Sequence, residues 1–262
     1  MFIDQFMKVG LTLSGGGARG VAHLGALKAL EERGIKPAII SAVSAGAIVA
    51  TLYGSGLNID EVMSTLLKTN LFRYIRPAWS RFGFLNIQKL IAIYKLHLPI
   101  SDFSELRTQV VISAADIREG KTVYFTEGDI IHAVLASTCI PIVFSPFELD
   151  GKLLVDGGII NNLPVEPLIG NCDLIIGVHT NPNNPKYRIN SIKSMIERTF
   201  HLAVYNNVKE RQKHCDIFIE PPDLINFGLF EISKAKDIFN VGYEYTHKIL
   251  EESSDILNRH NL

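Results

Sequence analysis

The sequence predicts an α/β fold, a three-layer α/β/α sandwich around a mostly parallel central sheet. Three observations predict it. Short apolar runs alternate with amphipathic segments along the chain, and most connections between them are only a few residues long. The chain has 262 residues, 47% of them hydrophobic, which is enough for one substantial core. Strand–helix alternation with short connections implies parallel strands covered on both faces. No internal repeat, low-complexity tract or linker forces a boundary, so one domain is expected over residues 1–262.

In chain order, KVGLTLS (8–14) reads as a buried strand, GGGARG (15–20) as a turn and VAHLGALKALEERG (21–34) as a helix stopped at Gly34. AIISAV (38–43) is the next strand, followed by a helix from Ala45 to about Tyr53. FLNIQKLIAIYKLHL (84–98) carries apolar residues at 87, 90, 91, 94 and 98, a helical stripe. TQVVISAADI and KTVYFTEG read as neighbouring antiparallel strands, and DIIHAVLASTCIP as a short helix stopped before Pro141. PFELDGKLLV is a hairpin turning at Asp150-Gly151. DLIIGVHT is a buried strand, residues 191–214 a long amphipathic helix, CDIFIEPP a last strand, and 231 to about 253 a closing helix.

Composition narrows the function classes. A formal net charge of −1 provides no basic field for nucleic acid. The three cysteines, Cys139, Cys172 and Cys215, are odd in number and far apart, which argues against a disulfide framework or a structural zinc site and for a reducing, cytoplasmic setting. The opening MFIDQFMKVG has neither a basic n-region nor an apolar h-region, so no signal peptide is expected. Residues 37–59 carry no charge over 23 positions, long enough for a membrane span, but serines, a threonine and three glycines interrupt them. A strand, a turn and a buried helix account for that stretch better.

Two adjacent β–α turns hold the candidate chemistry. Gly15, Gly17 and Gly20 match G-x-G-x-x-G after a strand and before a helix, the context of a dinucleotide fingerprint. That mechanism needs a carboxylate about 20 positions on, at the end of the second strand. Ile39 to Ala42 stand there instead, and no G-K-[ST] follows the glycines. Three adjacent glycines can instead aim backbone N–H groups into one concavity that receives an oxyanion or a phosphate. In the next turn Ser44 has Gly46 two places on, as in the G-x-S-x-G nucleophile elbow, but Ala42 replaces the first glycine. Both turns open at the carboxyl edge of the sheet, so nest and serine can meet.

A serine needs a base. Asp156 ends an apolar strand and is followed by Gly157, Gly158 and a run without charge, surroundings that desolvate a carboxylate and raise its pKa. The order Ser44, Asp156, His179 would also suit a triad. Of the other histidines, His23 is the one placed to lie near the site.

GGGARG, SAVSAGA and ASTCIPIVFSPF…DGKLLVDGGIINNLPV together resemble the patatin-like phospholipases, in particular their short bacterial members. The likeness runs from about Lys8 to Thr180, with a helical C-terminal part, 181–262, that carries little of it. It implies a Ser-Asp dyad: Ser44 as nucleophile and Asp156 as base, with Gly15, Gly16 and Gly17 lining the oxyanion hole, Arg19 bracing that loop and Gly46, Gly157 and Gly158 in support. It makes His179 a bystander. Ala42 departs from the family's usual glycine. The implied activity is serine hydrolysis of lipid acyl esters, with no metal or cofactor and no nucleic acid partner. Acyl transfer or thioester cleavage through the same acyl-serine is the rival chemistry, and phosphate or nucleotide binding at the glycine turn the rival of another class. Residues 81–100 carry Arg81, Lys89 and Lys95 and no acid, which makes them the candidate channel wall, lid or peripheral membrane contact.

Overall fold

The computed structural model describes residues 7–69, 92, 94–141, 144–260 and 262. Residues 81–91, most of the expected lid with Ile87 and Ile91, lie outside the described residues. The strands are β1 (Val9–Leu13), β2 (Ile39–Val43), β3 (Gln109–Asp116), β4 (Lys121–Phe125), β5 (Phe147–Leu149), β6 (Lys152–Asp156), β7 (Leu174–Val178) and β8 (Ile217–Ile219). The helices are α1 (Ala22–Glu32), α2 (Ala45–Gly54), α3 (Ile59–Thr69), α4 (Ile130–Thr138), α5 (Ile192–Arg211), α6 (Ala235–Glu252) and α7 (Ser254–Arg259).

Among the described residues all eight strands belong to one sheet. β3, β2, β1, β7 and β8 are neighbours in that order and all parallel. β4 and β6 each pair antiparallel with β3, and β5 with β6, so the sheet is mixed. Alternation divides its side chains. Leu11, Leu13, Ile40, Ala42, Ile112 and Ile176 join the main core, whereas Ile39, Val111 and Ile175 meet Val165 and Leu168 in a second cluster. Helices cover both sides.

The register explains the site. β2 lies against Gln109–Ser113 and β4 against Ile112–Asp116, so the two occupy opposite edges of β3. β6 overlaps β4 on β3 and therefore continues along the edge of β2, beyond its end. β2 ends with Val43 opposite Ser113, and β6 arrives from the other direction with Asp156 opposite Ala114. Two strand ends meet head to head, which brings the residue after β2 beside the residue that ends β6.

Local signals act as expected at two turns. Gly34 takes φ 74° after α1, and Asp150 and Gly151 take φ 49° and 74° at the hairpin tip. The expected helix from Val21 begins one residue later, because Gly17–Val21 wind as a 3-10 turn. The expected closing helix, 231 to about 253, is likewise a 3-10 turn at Ile232–Lys234 and then α6, and α7 follows beyond its expected end. α6 packs directly on α1. A Cβ at Gly25 would strike the carbonyl oxygen of Phe239, and one at Gly242 that of Ala22, so these glycines let the two backbones touch. Residues 37–59 form β2, its turn, α2 and the start of α3. Among the described residues no helix is long and apolar enough to cross a membrane.

Candidate active site

Ser44 stands between β2 and α2 at φ 54°, ψ −124°, a conformation that L residues avoid. Such a turn lifts the side chain out of the strand direction while α2 begins at once. Two groups hold it there. The Ser44 amide donates to Ser137 Oγ of α4 at 2.7 Å. Gly46 has its missing Cβ against the carbonyl oxygens of Leu13 and Ser14, 2.6 and 2.7 Å away, so only glycine allows α2 to start this close to the end of β1. In a nucleophile elbow the positions two before and two after the serine pass close together. Here the atoms nearest to position 46 belong to Leu13 and Ser14 at the end of β1, and Ala42 is fully buried in the main core.

Ser44 Oγ donates to Asp156 Oδ2 at 2.5 Å. The other carboxylate oxygen, Oδ1, accepts from the Gly158 amide at 2.8 Å, and Gly157, its missing Cβ against Ser113 O and Val43, lets the turn pack on the sheet. Ser44 and Asp156 are both buried. Burial pushes the Asp156 pKa from 3.8 up to about 6, and the hydrogen bonds from Ser44 and Gly158 hold back part of that rise.

The glycine turn lies against the serine. A Cβ at Gly15 would fall 2.9 Å from the Ser44 Cβ. Of the three amides expected in the oxyanion hole, that of Gly15 is already donated, to Asn162 Oδ1 at 3.1 Å. Gly16 and Gly17 amides have no acceptor among the described residues. Gly17, at φ 57°, passes under the Leu229 carbonyl, which also accepts from the Ala18 amide at 2.8 Å. Arg19 donates from Nε to Phe227 O at 2.8 Å and from Nη1 to Asn181 Oδ1 at 3.2 Å, tying the turn to two distant segments. Burial lowers its pKa, and Glu231 opposes that shift.

The end of β7 clamps the same turn. The Thr180 amide donates to Ser14 Oγ at 3.0 Å, and Asn181 Nδ2 to Gly15 O at 3.2 Å. His23 is fully buried with Nε2 2.8 Å from Ser14 O, and burial lowers its pKa to about 4. The neutral ring therefore donates to that carbonyl. His179 is not hydrogen-bonded to either member of the pair: Nδ1 lies 2.6 Å from Glu220 Oε1 and Nε2 3.4 Å from Asn162 Nδ2. Ser137 and Asn162 lie inside runs that carry the family resemblance, but like Asn181 they have no local signature in the sequence that marks these contacts. No group of His, Cys, Asp or Glu among the described residues is arranged to hold a metal.

Beside Gly17 and Ala45 opens an apolar pocket lined also by Val21, Ile48, Leu66 and Ile232. Its walls come from the glycine turn, from α2 next to Ser44, from α3 and from the C-terminal segment at Ile232.

Residues 11–169 match the family model described as patatin-like phospholipase. An uncharacterized NTE family protein of Mycobacterium tuberculosis H37Rv is 37% identical over 179 residues, covering 66% of this chain and 49% of that one. Lysophospholipase NTE1 of Kluyveromyces lactis is 27% identical over 283 residues, 93% of this chain and 19% of that one. The chain thus spans about half the length, or less, of these curated relatives. Among solved structures, VipD from Legionella pneumophila superposes with a TM-score of 0.55 at 14% identity, over 94% of this chain and 67% of that one. Human GIVD cytosolic phospholipase A2, in complex with methyl γ-linolenyl fluorophosphonate, gives 0.54 at 12% identity, over 99% and 59%. These two likenesses concern the fold.

Proposed function

The chain belongs to the patatin-like phospholipase family, and on that premise we propose that it hydrolyses lipid acyl esters through a Ser44–Asp156 dyad. The observation that carries the reading is the 2.5 Å hydrogen bond between these side chains, made beside a glycine turn with two amides unpaired among the described residues. Asp156 Oδ2 takes the proton from Ser44 Oγ as that oxygen attacks the acyl carbonyl carbon. The carbonyl oxygen becomes an oxyanion and accepts from the Gly16 and Gly17 amides, each such donor being worth about 2.7–4 kcal/mol in the transition state. Gly15 contributes its shape and its hydrogen bond to Asn162 rather than a donor to the oxyanion.

Collapse of the tetrahedral intermediate breaks the ester bond. The leaving alkoxide receives the proton from Asp156, and the acyl group stays on Ser44. Water then loses a proton to Asp156 and attacks the same carbonyl. The second collapse releases the fatty acid, and the proton returns to Ser44 Oγ. Nucleophile, base and oxyanion donors are all supplied by the chain.

The test is covalent labelling with a fluorophosphonate, together with release of fatty acid from a lysophospholipid. Wild type should label and hydrolyse, and Ser44→Ala should do neither. Labelling that persists in Ser44→Ala would place the nucleophile elsewhere.

A further inference from the structure

We propose that His179, held by Glu220 and acting through Asn162, is a positioning residue that sets the orientation of the oxyanion turn. The groups form one continuous chain. Glu220 Oε1 lies 2.6 Å from His179 Nδ1, His179 Nε2 lies 3.4 Å from Asn162 Nδ2, and Asn162 Oδ1 lies 3.1 Å from the Gly15 amide. Every donor along it is determined by its neighbour. The Gly15 amide only donates, so the Asn162 atom facing it is the oxygen. The nitrogen of that side chain then faces His179, whose Nε2 must accept and carries no hydrogen. The one ring hydrogen sits on Nδ1 and goes to Glu220, a carboxylate that only accepts.

Reversing the Asn162 amide would set its NH₂ against the Gly15 N–H and its oxygen against the Nε2 lone pair, two repulsive contacts in a buried site. His179 and Asn162 are almost wholly buried, so water offers no substitute partner. The consequence reaches the chemistry through the backbone. With the Gly15 N–H turned toward Asn162, the peptides that follow leave the amides of Gly16 and Gly17 without partners among the described residues, in the turn whose Gly15 lies against Ser44. Asn162 also abuts Gly158, whose amide holds Asp156, so one side chain touches both halves of the site. The His179 ring has the rings of Tyr205 and Phe218 as neighbours, with centroids 6.2 and 6.3 Å away, a setting that suits another aromatic ring.

The catalytic part of this proposal rests on the dyad reading, and the structural part does not. Two measurements separate them in the full chain, labelled with 15N-glycine. The first is amide exchange at Gly15, with Gly10 in β1 as reference. The second is the split of kcat and KM on a lysophospholipid. In His179→Phe, Gly15 exchange should accelerate tenfold or more while Gly10 is unchanged, and kcat should fall about tenfold with KM within twofold. Glu220 is partly exposed, so its variants test the same chain with little risk to folding. Glu220→Ala should raise Gly15 exchange and lower kcat a few-fold. Glu220→Gln, whose amide oxygen can still accept from Nδ1, should restore both. If wild type lacks activity, the dyad reading fails and Gly15 exchange still decides the chain. Unchanged Gly15 exchange in Glu220→Ala and in folded His179→Phe overturns the proposal, and so does a loss that Glu220→Gln does not repair.

Discussion

Asp156 sits one register step beyond Val43 along the same edge of β3, opposite Ala114 where Val43 lies opposite Ser113. The two strands run toward each other, so the distance between Ser44 and Asp156 is set by the sheet rather than by a loop. Their 2.5 Å contact is therefore formed before substrate arrives. Asp156→Asn should preserve the fold and remove the base, lowering the rate of ester hydrolysis by about 10²–10⁴. Steady-state rates on a soluble ester, with circular dichroism as a fold control, check it. A variant that turns over within threefold of wild type would remove Asp156 from the mechanism.

The pH dependence has two parts of opposite sign. As a base Asp156 works only ionised, and burial raises its pKa to about 6. The acylation rate should therefore climb with pH through about 6 and level off above it. Stability runs the other way. The folded-state pKa lies above the reference value of 3.8, so the folded chain binds more protons between pH 4 and 6, and stability falls as pH rises through that window. A gap of about two units corresponds to about 3 kcal/mol. Asp156→Asn, which cannot ionise, should lose that part of the pH dependence and melt higher than wild type at pH 8. Urea titrations of both proteins at pH 4 and pH 8 measure the difference. Equal pH dependence in the two would show that Asp156 is not ionised at a cost.

Ser44 carries backbone strain, with φ 54° and ψ −124°. Strain of this kind is worth about 1–3 kcal/mol, and glycine relieves most of it. Ser44→Gly and Ser44→Ala both lose the hydroxyl and both should be inactive. Their difference in stability isolates the backbone. Glycine gains unfolded-state entropy of about 0.5–1 kcal/mol in the opposite direction. Ser44→Gly should still be the more stable by about 1 kcal/mol. Thermal melts of the pair decide this, and an alanine variant that melts higher would deny the strain.

The parts of this site that were legible in the sequence are those with a local signature. Ser44 and Asp156 each end an apolar strand beside glycines, and the Asp150-Gly151 hairpin has its own turn chemistry. Period and turn residues also located most elements to within a residue or two. What could not be read are contacts between remote segments. Gly15 meets Asn162 across 147 positions, and Arg19 meets Phe227 across 208. A hydrogen bond of this kind leaves no periodicity. The same limit applies to His179, whose contacts with Asn162 and Glu220 span 17 and 41 positions.

Crowding at the elbow falls on position 46 more than on position 42. Alanine at 46 lies in the first turn of α2, where helix propensity alone favours it over glycine by about 0.8–1 kcal/mol. Its methyl group would meet the backbone oxygens of Leu13 and Ser14 at 2.6 and 2.7 Å, closer than contact allows, and neither oxygen can swing away as a side chain can. Gly46→Ala should therefore cost about 1–3 kcal/mol net and slow fluorophosphonate labelling, because relief requires α2 and Ser44 to move off the glycine turn. Ala42 is fully buried but faces side chains of the main core, which can adjust. Ala42→Gly should label like wild type and lose only about 0.5–1 kcal/mol to strand entropy. Ala42→Val should lose about 1–3 kcal/mol by overpacking. Melting temperature and labelling rate across the three variants test the order. A Gly46→Ala protein as stable and as reactive as wild type would show that α2 can withdraw from β1 without disturbing the serine.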